Sequence, residues 1–160
     1  MTQKQLAELT WNKKMHFTGS NGHYKIEMDA AAAHAHPGED GDRLAPTPKD
    51  LILQAMMGCS AMDVVSTLEK MRQPIDAFTM KIEAEKNQHP PIYFKSSLIR
   101  YYLKGNIAPE KAIKALDASL TKYCGVNYMI SKAGKIFFEL YLNEQLINKG
   151  QAQFHEPLAD

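Results

Sequence analysis

Hydrophobic and polar residues alternate near the start of the chain, which is the pattern of half-buried β-strands. Ala7, Leu9 and Trp11 alternate with polar residues, and the same period of two continues from Tyr24 to Ala30. Between these segments, Ser20–Gly22 reads Ser-Asn-Gly, which is typical turn chemistry. We therefore predict a β-hairpin in the first part of the chain.

The most apolar part of the chain follows a helix start signal. Thr47 is a suitable N-cap, Pro48 suits the first helical turn, and Asp50 lies three residues after the cap. The predicted helix is apolar on almost every side in the run LILQAMMGCSAMDVVSTLEKM, and Gln73-Pro74 predicts its end. A helix without a polar face belongs inside a protein. We expect a buried long central helix, hidden between two sheets of a homodimer because one subunit offers too few elements to surround it.

Strand and helix patterns alternate through the rest of the chain. Phe78–Ala84 and Ile136–Leu142 have the period of two, and Ile92–Lys104 is rich in strand-forming residues. Pro109 opens a second helix, and a short helix begins near Cys124. The resulting order, ββαββααβ, predicts an α+β fold with an antiparallel sheet.

Length and charge restrict the classes of function. The chain has 160 residues, so we predict one domain over residues 1–160. The formal net charge of +1 gives no electrostatic reason to expect a nucleic acid or an anionic membrane as partner. The longest uncharged run, Leu51–Met62, is shorter than the roughly 20 residues of a membrane span. Since the first residues also lack a signal-peptide pattern, we expect a cytoplasmic protein without a permanent disulfide.

The two cysteines are either buried structural thiols or reactive ones. Cys59 lies in the apolar helix, where an inert buried thiol is common, and it becomes reactive only near a positive charge or a helix N-terminus. Cys124 lies between two predicted helices, and a place in the first turn of the second would lower its pKa. Asp63, in the same helix as Cys59, is expected to bond a buried partner or to face a cleft.

Three further residues also have two interpretations. Arg43 precedes the long helix and either pairs with Asp40 or Asp42 in solvent, or holds a nearby thiolate. His34 and His36 would face the same side of an extended segment, but two histidines without a third ligand are a weak indication of a metal. The sequence therefore predicts neither a metal nor a cofactor.

The run TPKDLILQAMMGCSAMDVV, followed about 65 residues later by a second cysteine in SLTKYCGVN, resembles the OsmC/Ohr family over nearly the whole chain. The resemblance implies an intertwined homodimer with two active sites at its interface, which reduces organic hydroperoxides or hydrogen peroxide. Cys59 would attack the peroxide as a thiolate and become a sulfenic acid, and Cys124 would condense with it to a disulfide. A dithiol, often a lipoyl group in this family, would restore the thiols.

Two positions differ from the peroxidases of this family. Their glutamate ten positions before the first cysteine is replaced by Lys49, and a carboxylate follows at Asp50. Their helper arginine comes from an early strand region, and this chain has no arginine there. Arg43 is the substitute candidate, with Asp50 orienting its guanidinium. The implied catalytic set is therefore Cys59, Cys124, Arg43 and Asp50.

Two other classes of function stay open on the sequence. One is a non-catalytic redox-sensing or small-ligand-binding dimer of the same fold. The other is a thiol-dependent hydrolase or a metal protein that uses Cys59 with His34 or His36.

Overall fold

The computed structural model describes residues 4–30 and 43–156. The chain divides into two compact units, Met1–Leu53 and Gln54–Asp160. His34 and His36, together with Asp40 and Asp42, lie outside the described residues.

The first unit contains a three-stranded antiparallel sheet in the order β1-β2-β3. Its strands are β1 (Glu8–Lys13), β2 (His16–Asn21) and β3 (Tyr24–Met28). The two predicted strands are present as β1 and β3. The predicted turn at Ser20–Gly22 does close a hairpin, but its first strand is β2, which lies between β1 and β3. The sequence HFTGSN of β2 has a single large apolar side chain and no alternation, which hid this strand. The turn after β2 uses Gly22 at φ 63°, a conformation that glycine adopts without strain.

One long helix, α1 (Pro48–Lys70), begins in the first unit and ends in the second. The backbone N–H and the hydroxyl of Thr47 both donate to Asp50 Oδ2, at 2.9 and 2.8 Å. In return the backbone N–H of Asp50 donates to Thr47 Oγ1 at 3.2 Å, which completes a capping box. The predicted helix start is confirmed, and the helix ends just before Gln73-Pro74.

The second unit contains a four-stranded sheet in the order β4-β5-β6-β7. Its strands are β4 (Ala77–Lys86), β5 (Phe94–Lys104), β6 (Lys135–Leu142) and β7 (Gln145–Gln151). The α+β class is confirmed, whereas the expectation of a wholly antiparallel sheet needs correction because β5 and β6 pair in parallel. A parallel pair needs a crossover connection, and here it consists of α2 (Pro109–Ala118), a π-helical segment (Ser119–Tyr123) and α3 (Gly125–Ser131).

The core of the second unit combines one side of α1 with the crossover helices and the central strands. From α1 it takes Met56, Ser60, Val64 and Leu68, all fully buried and spaced by four residues. The remaining large core residues come from β5, α2, the π-helical segment and β6, and include Tyr101, Ile99, Leu103, Leu116, Leu120, Ile136 and Leu140. Another side of α1 is accessible in the single chain, where Met62 is 74% exposed.

Candidate functional site

Helix α1 supplies the first two groups of the site. Cys59 and Asp63 are four residues apart, so their side chains lie on the same side of the helix, one turn from each other. Both are half-buried. Ser60, the neighbour of Cys59, points instead into the core and is fully buried.

The π-helical segment supplies the second cysteine. Its closing hydrogen bond runs from the backbone N–H of Cys124 to the carbonyl of Ser119, at 3.0 Å. In an α-helix, residues five apart point about 140° away from each other. The wider π turn brings residues five apart closer to one direction, and the side chains of Ser119 and Cys124 both lie near Asp63.

The two elements meet in a compact cluster of Cys59, Asp63 and Cys124. The two sulfur atoms and a carboxylate oxygen of Asp63 all lie within 4.8 Å of one another. Cys124 is 1% exposed, while Cys59 is half-buried and remains in contact with solvent. The fold therefore brings together two thiols that are 65 residues apart in sequence.

A chain of buried hydroxyl groups leads from the core to this cluster. The hydroxyl of Tyr101 lies 2.8 Å from Ser60 Oγ, and Ser60 Oγ lies 3.0 Å from Ser119 Oγ. Ser119 then donates to Asp63 Oδ2 at 3.0 Å. Since Tyr101, Ser60 and Ser119 are fully buried, these contacts satisfy polar groups that water does not reach.

Asn127 holds Cys124 in place from the start of α3. Cys124 is the N-cap residue of this helix, and its sulfur accepts the backbone N–H of Asn127 at 3.5 Å. The side-chain amide of Asn127 donates to the carbonyl of Met56 on α1 at 3.2 Å. One residue thus ties the second cysteine to the helix that carries the first.

Burial dominates the electrostatics of the site. It raises the pKa of Cys124 to about 12, against the opposing effect of the N–H that Asn127 donates, while nearby Cys59 and Asp63 raise it further. Cys124 is the N-cap of α3 rather than a residue of its first turn, and although the N–H of Asn127 lowers the pKa of Cys124, desolvation outweighs this effect, so that the pKa is raised. Burial also raises the pKa of Asp63, although the hydrogen bond from Ser119 opposes this.

The other two predicted site residues belong to the first unit. Arg43 Nη1 lies 3.4 Å from Asp50 Oδ2, so the guanidinium and the carboxylate that we expected to pair are in contact. The same carboxylate oxygen accepts both hydrogen bonds of the helix cap from Thr47. A role for either residue in activating Cys59 stays a prediction.

Sequence reasoning did not assign Asp63, Ser119 or Asn127 to the site. The spacing of Asp63 from Cys59 was visible as an i, i+4 pair on one helix. No local pattern indicated that Ser119 and Asn127 would converge on it, because the convergence depends on the crossover and its π turn.

Residues 38–138 match the model of the family described as OsmC-like protein. The chain is 35% identical to Protein YhfA of Escherichia coli strain K12 over 133 residues, which are 81% of this chain and 92% of that protein. An OsmC-like protein from Mycoplasma pneumoniae has a similar structure, with a TM-score of 0.72 at 13% identity, over 89% of this chain and 99% of that one. An organic hydroperoxide resistance protein OsmC from Legionella pneumophila gives a TM-score of 0.61 at 15% identity, over 89% and 98% of the two chains.

Proposed function

Because the chain belongs to the OsmC-like protein family, we propose that it is a thiol peroxidase in which Cys59 reacts with the peroxide and Cys124 resolves the product. The observation that carries this proposal is the proximity of two thiols of unequal exposure. Their sulfur atoms lie within 4.8 Å of each other, and only Cys59 retains contact with solvent. The name of the structural neighbour from Legionella pneumophila, an organic hydroperoxide resistance protein, agrees with peroxide as substrate.

The proposed reaction has three steps. The Cys59 thiolate attacks the terminal oxygen of the hydroperoxide, the O–O bond breaks, and the departing alkoxide takes up a proton to become an alcohol. Cys59 is then a sulfenic acid, which Cys124 attacks to form a disulfide with release of water. A dithiol reductant, for which a lipoyl-bearing protein is the candidate partner, exchanges with this disulfide and is itself oxidised.

The exposure of the two sulfur atoms supports the assignment of roles. A peroxide reaches the half-buried Cys59 before it reaches Cys124, which is 1% exposed. Cys124 does not need to meet the substrate, because its target is the oxidised sulfur of Cys59. A disulfide needs a sulfur–sulfur distance of about 2.05 Å, so the step requires a shift of side chains that are already neighbours.

A non-catalytic redox sensor is the second candidate function. Burial and the nearby Asp63 raise the pKa of Cys124, and both effects persist after Cys59 is oxidised, which would make resolution and turnover slow. A sensor would form the same disulfide once per oxidation event, without a rapid reductant. Turnover therefore separates the two candidates.

We further propose that the protein acts as a homodimer in the cytoplasm. By length and composition, α1 would also suffice to cross a membrane. However, its residues Met56, Val64 and Leu68 are buried in the core of the second unit, as in a helix of a soluble fold. The accessible apolar side around Met62 is the surface that a second subunit would cover.

Peroxide consumption by the wild type, Cys59→Ser and Cys124→Ser tests the proposal. Cumene hydroperoxide and hydrogen peroxide serve as substrates, with dihydrolipoamide or dithiothreitol as reductant. We expect Cys59→Ser to lose turnover completely. In the absence of the dithiol, which would itself reduce a sulfenic acid, Cys124→Ser should consume about one equivalent of peroxide and stop at a sulfenic acid, which dimedone traps for mass spectrometry.

Both cysteine variants need the same fold as the wild type, which far-UV circular dichroism checks. The peroxidase proposal fails if Cys59→Ser retains the wild-type rate, or if the wild type itself shows no turnover with any dithiol. In the second case, a disulfide that forms stoichiometrically would favour the redox sensor.

A further inference from the structure

We propose that the reduced protein binds a zinc ion through Cys59, Asp63 and Cys124. The inference does not depend on peroxidase activity, since it rests on three ligand atoms that converge from two different elements of the second unit. Two thiolates and a carboxylate form a donor set that zinc accepts, whereas calcium and magnesium require oxygen ligands.

The geometry needs little adjustment to hold the ion. In a tetrahedral site with Zn–S near 2.3 Å and Zn–O near 2.1 Å, neighbouring ligand atoms lie about 3.6–3.8 Å apart. The three atoms here lie within 4.8 Å of one another, so each pair has to approach by at most about 1.2 Å. Cys59 and Asp63 are half-buried at their helix surface, and side-chain rotation suffices for such a movement.

Two hydrogen bonds already orient the ligands from outside. Ser119 donates to Asp63 Oδ2 at 3.0 Å, which fixes the direction of the carboxylate. The backbone N–H of Asn127 donates to Cys124 Sγ at 3.5 Å, and such a contact stabilises a metal-bound thiolate. Metal sites commonly have such hydrogen bonds from neighbouring residues, which orient the direct ligands.

The charges of the site also favour a cation. If all three groups were ionised, the two sulfur atoms and the Asp63 carboxylate would repel one another, because they lie within 4.8 Å of one another. A divalent ion replaces the thiol protons, which pass to solvent, and turns this repulsion into attraction. Three protein ligands leave a fourth position for water on the solvent side of Cys59.

Cobalt and zinc titrations of the reduced, chelator-treated protein test the proposal. Cobalt reports a tetrahedral site by its visible absorption and bound thiolates by charge-transfer bands in the near ultraviolet. Zinc should displace it at one ion per chain, and competition with a chromophoric chelator gives the affinity. Protein alkylated at both thiols should bind no zinc.

Four variants separate a built site from general thiol affinity. Loss of an outer hydrogen bond typically weakens metal binding by about 10- to 100-fold, so loss of a direct ligand should cost at least that. We expect Cys59→Ser and Cys124→Ser to weaken zinc binding by about 100-fold or more, and Asp63→Asn by at least about tenfold. Glu69→Gln removes a carboxylate from an exposed position on the same helix and should change the affinity by less than about twofold.

The outcomes also distinguish this proposal from the peroxidase. The metal site is overturned if the zinc affinity is unchanged in Asp63→Asn, or if either cysteine variant retains the wild-type affinity. This conclusion would hold even if the protein consumes peroxide. A one-to-one zinc complex in a protein without turnover would sustain the metal site and reject the peroxidase. If Asp63→Asn does not fold, Ser119→Ala replaces it, with an expected loss of about tenfold in zinc affinity and unchanged affinity again the contrary result.

Discussion

The buried hydroxyl chain has a direction of hydrogen-bond donation that mutation can test. An ionised Asp63 only accepts, so the single proton of Ser119 goes to it. Ser119 then accepts from Ser60, and Ser60, whose proton is used in that bond, accepts from Tyr101. Burial raises the pKa of Tyr101, so its hydroxyl stays protonated and can donate.

This direction predicts unequal costs for two conservative substitutions. Tyr101→Phe removes the terminal donor and one hydrogen bond of 2.8 Å, without leaving another donor unpaired, and should cost about 1 kcal/mol. Ser60→Ala removes the middle of the chain. It leaves the fully buried Tyr101 hydroxyl as a donor without this acceptor, and should cost about 2–3 kcal/mol. The double variant should cost less than the sum, because the phenylalanine ring carries no hydroxyl proton that needs an acceptor.

Guanidinium chloride unfolding, followed by circular dichroism at matched protein concentration, measures the free energy of unfolding of all four proteins. Equal m-values are required for the comparison. A Tyr101→Phe variant that loses as much free energy as Ser60→Ala, or costs that simply add, would refute the inferred direction of donation.

Two further predictions follow from the charge and exposure of α1. Burial raises the pKa of Asp63 in the folded protein, so its ionisation opposes folding above the folded-state pKa and has no effect below the unfolded-state pKa. Asp63→Asn should therefore increase the free energy of unfolding near neutral pH, with a gain that shrinks to nothing in acid; a constant gain across pH would contradict this. Met62 is 74% exposed and should lie in a dimer interface of more than about 2,000 Å². Met62→Lys should therefore yield monomers in sedimentation at micromolar concentration, while the control Leu146→Lys on β7 should stay dimeric. A wild type that sediments as a folded monomer would refute the dimer.

Local signals in the sequence predicted the parts of the fold that local physics determines. Thr47, Pro48 and Asp50 specify the start of α1 through a cap that needs no tertiary contact. Strands in which hydrophobic and polar residues alternate were also predicted, because this alternation is itself a local signal. Strand β2 and strand β7 were missed because their residues are mostly polar or small, and only pairing with neighbours makes them strands.

The candidate site was only partly predictable because it is assembled by non-local contacts. The sequence identified Cys59 and Cys124, but their proximity depends on a parallel β5–β6 pair and on the crossover between those strands. The π-helical segment decides which way Ser119 and Cys124 point, and no residue in SLTKY signals one extra residue per turn. Asp63 was visible on the same helix, yet its partners come from elsewhere in the chain.

The position of Asp63 also bears on the order of the proposed chemical steps. The pKa of Cys124 is raised by burial and then by the charges of Cys59 and Asp63, so two thiolates beside this carboxylate are strongly disfavoured. Cys124 therefore remains a neutral thiol during the proposed first step, in which Cys59 attacks the peroxide. Once Cys59 has become a neutral sulfenic acid, one of the charges opposing ionisation of Cys124 has gone. Deprotonation of Cys124 becomes easier only at the stage where its sulfur is needed, so the cluster itself favours attack before resolution.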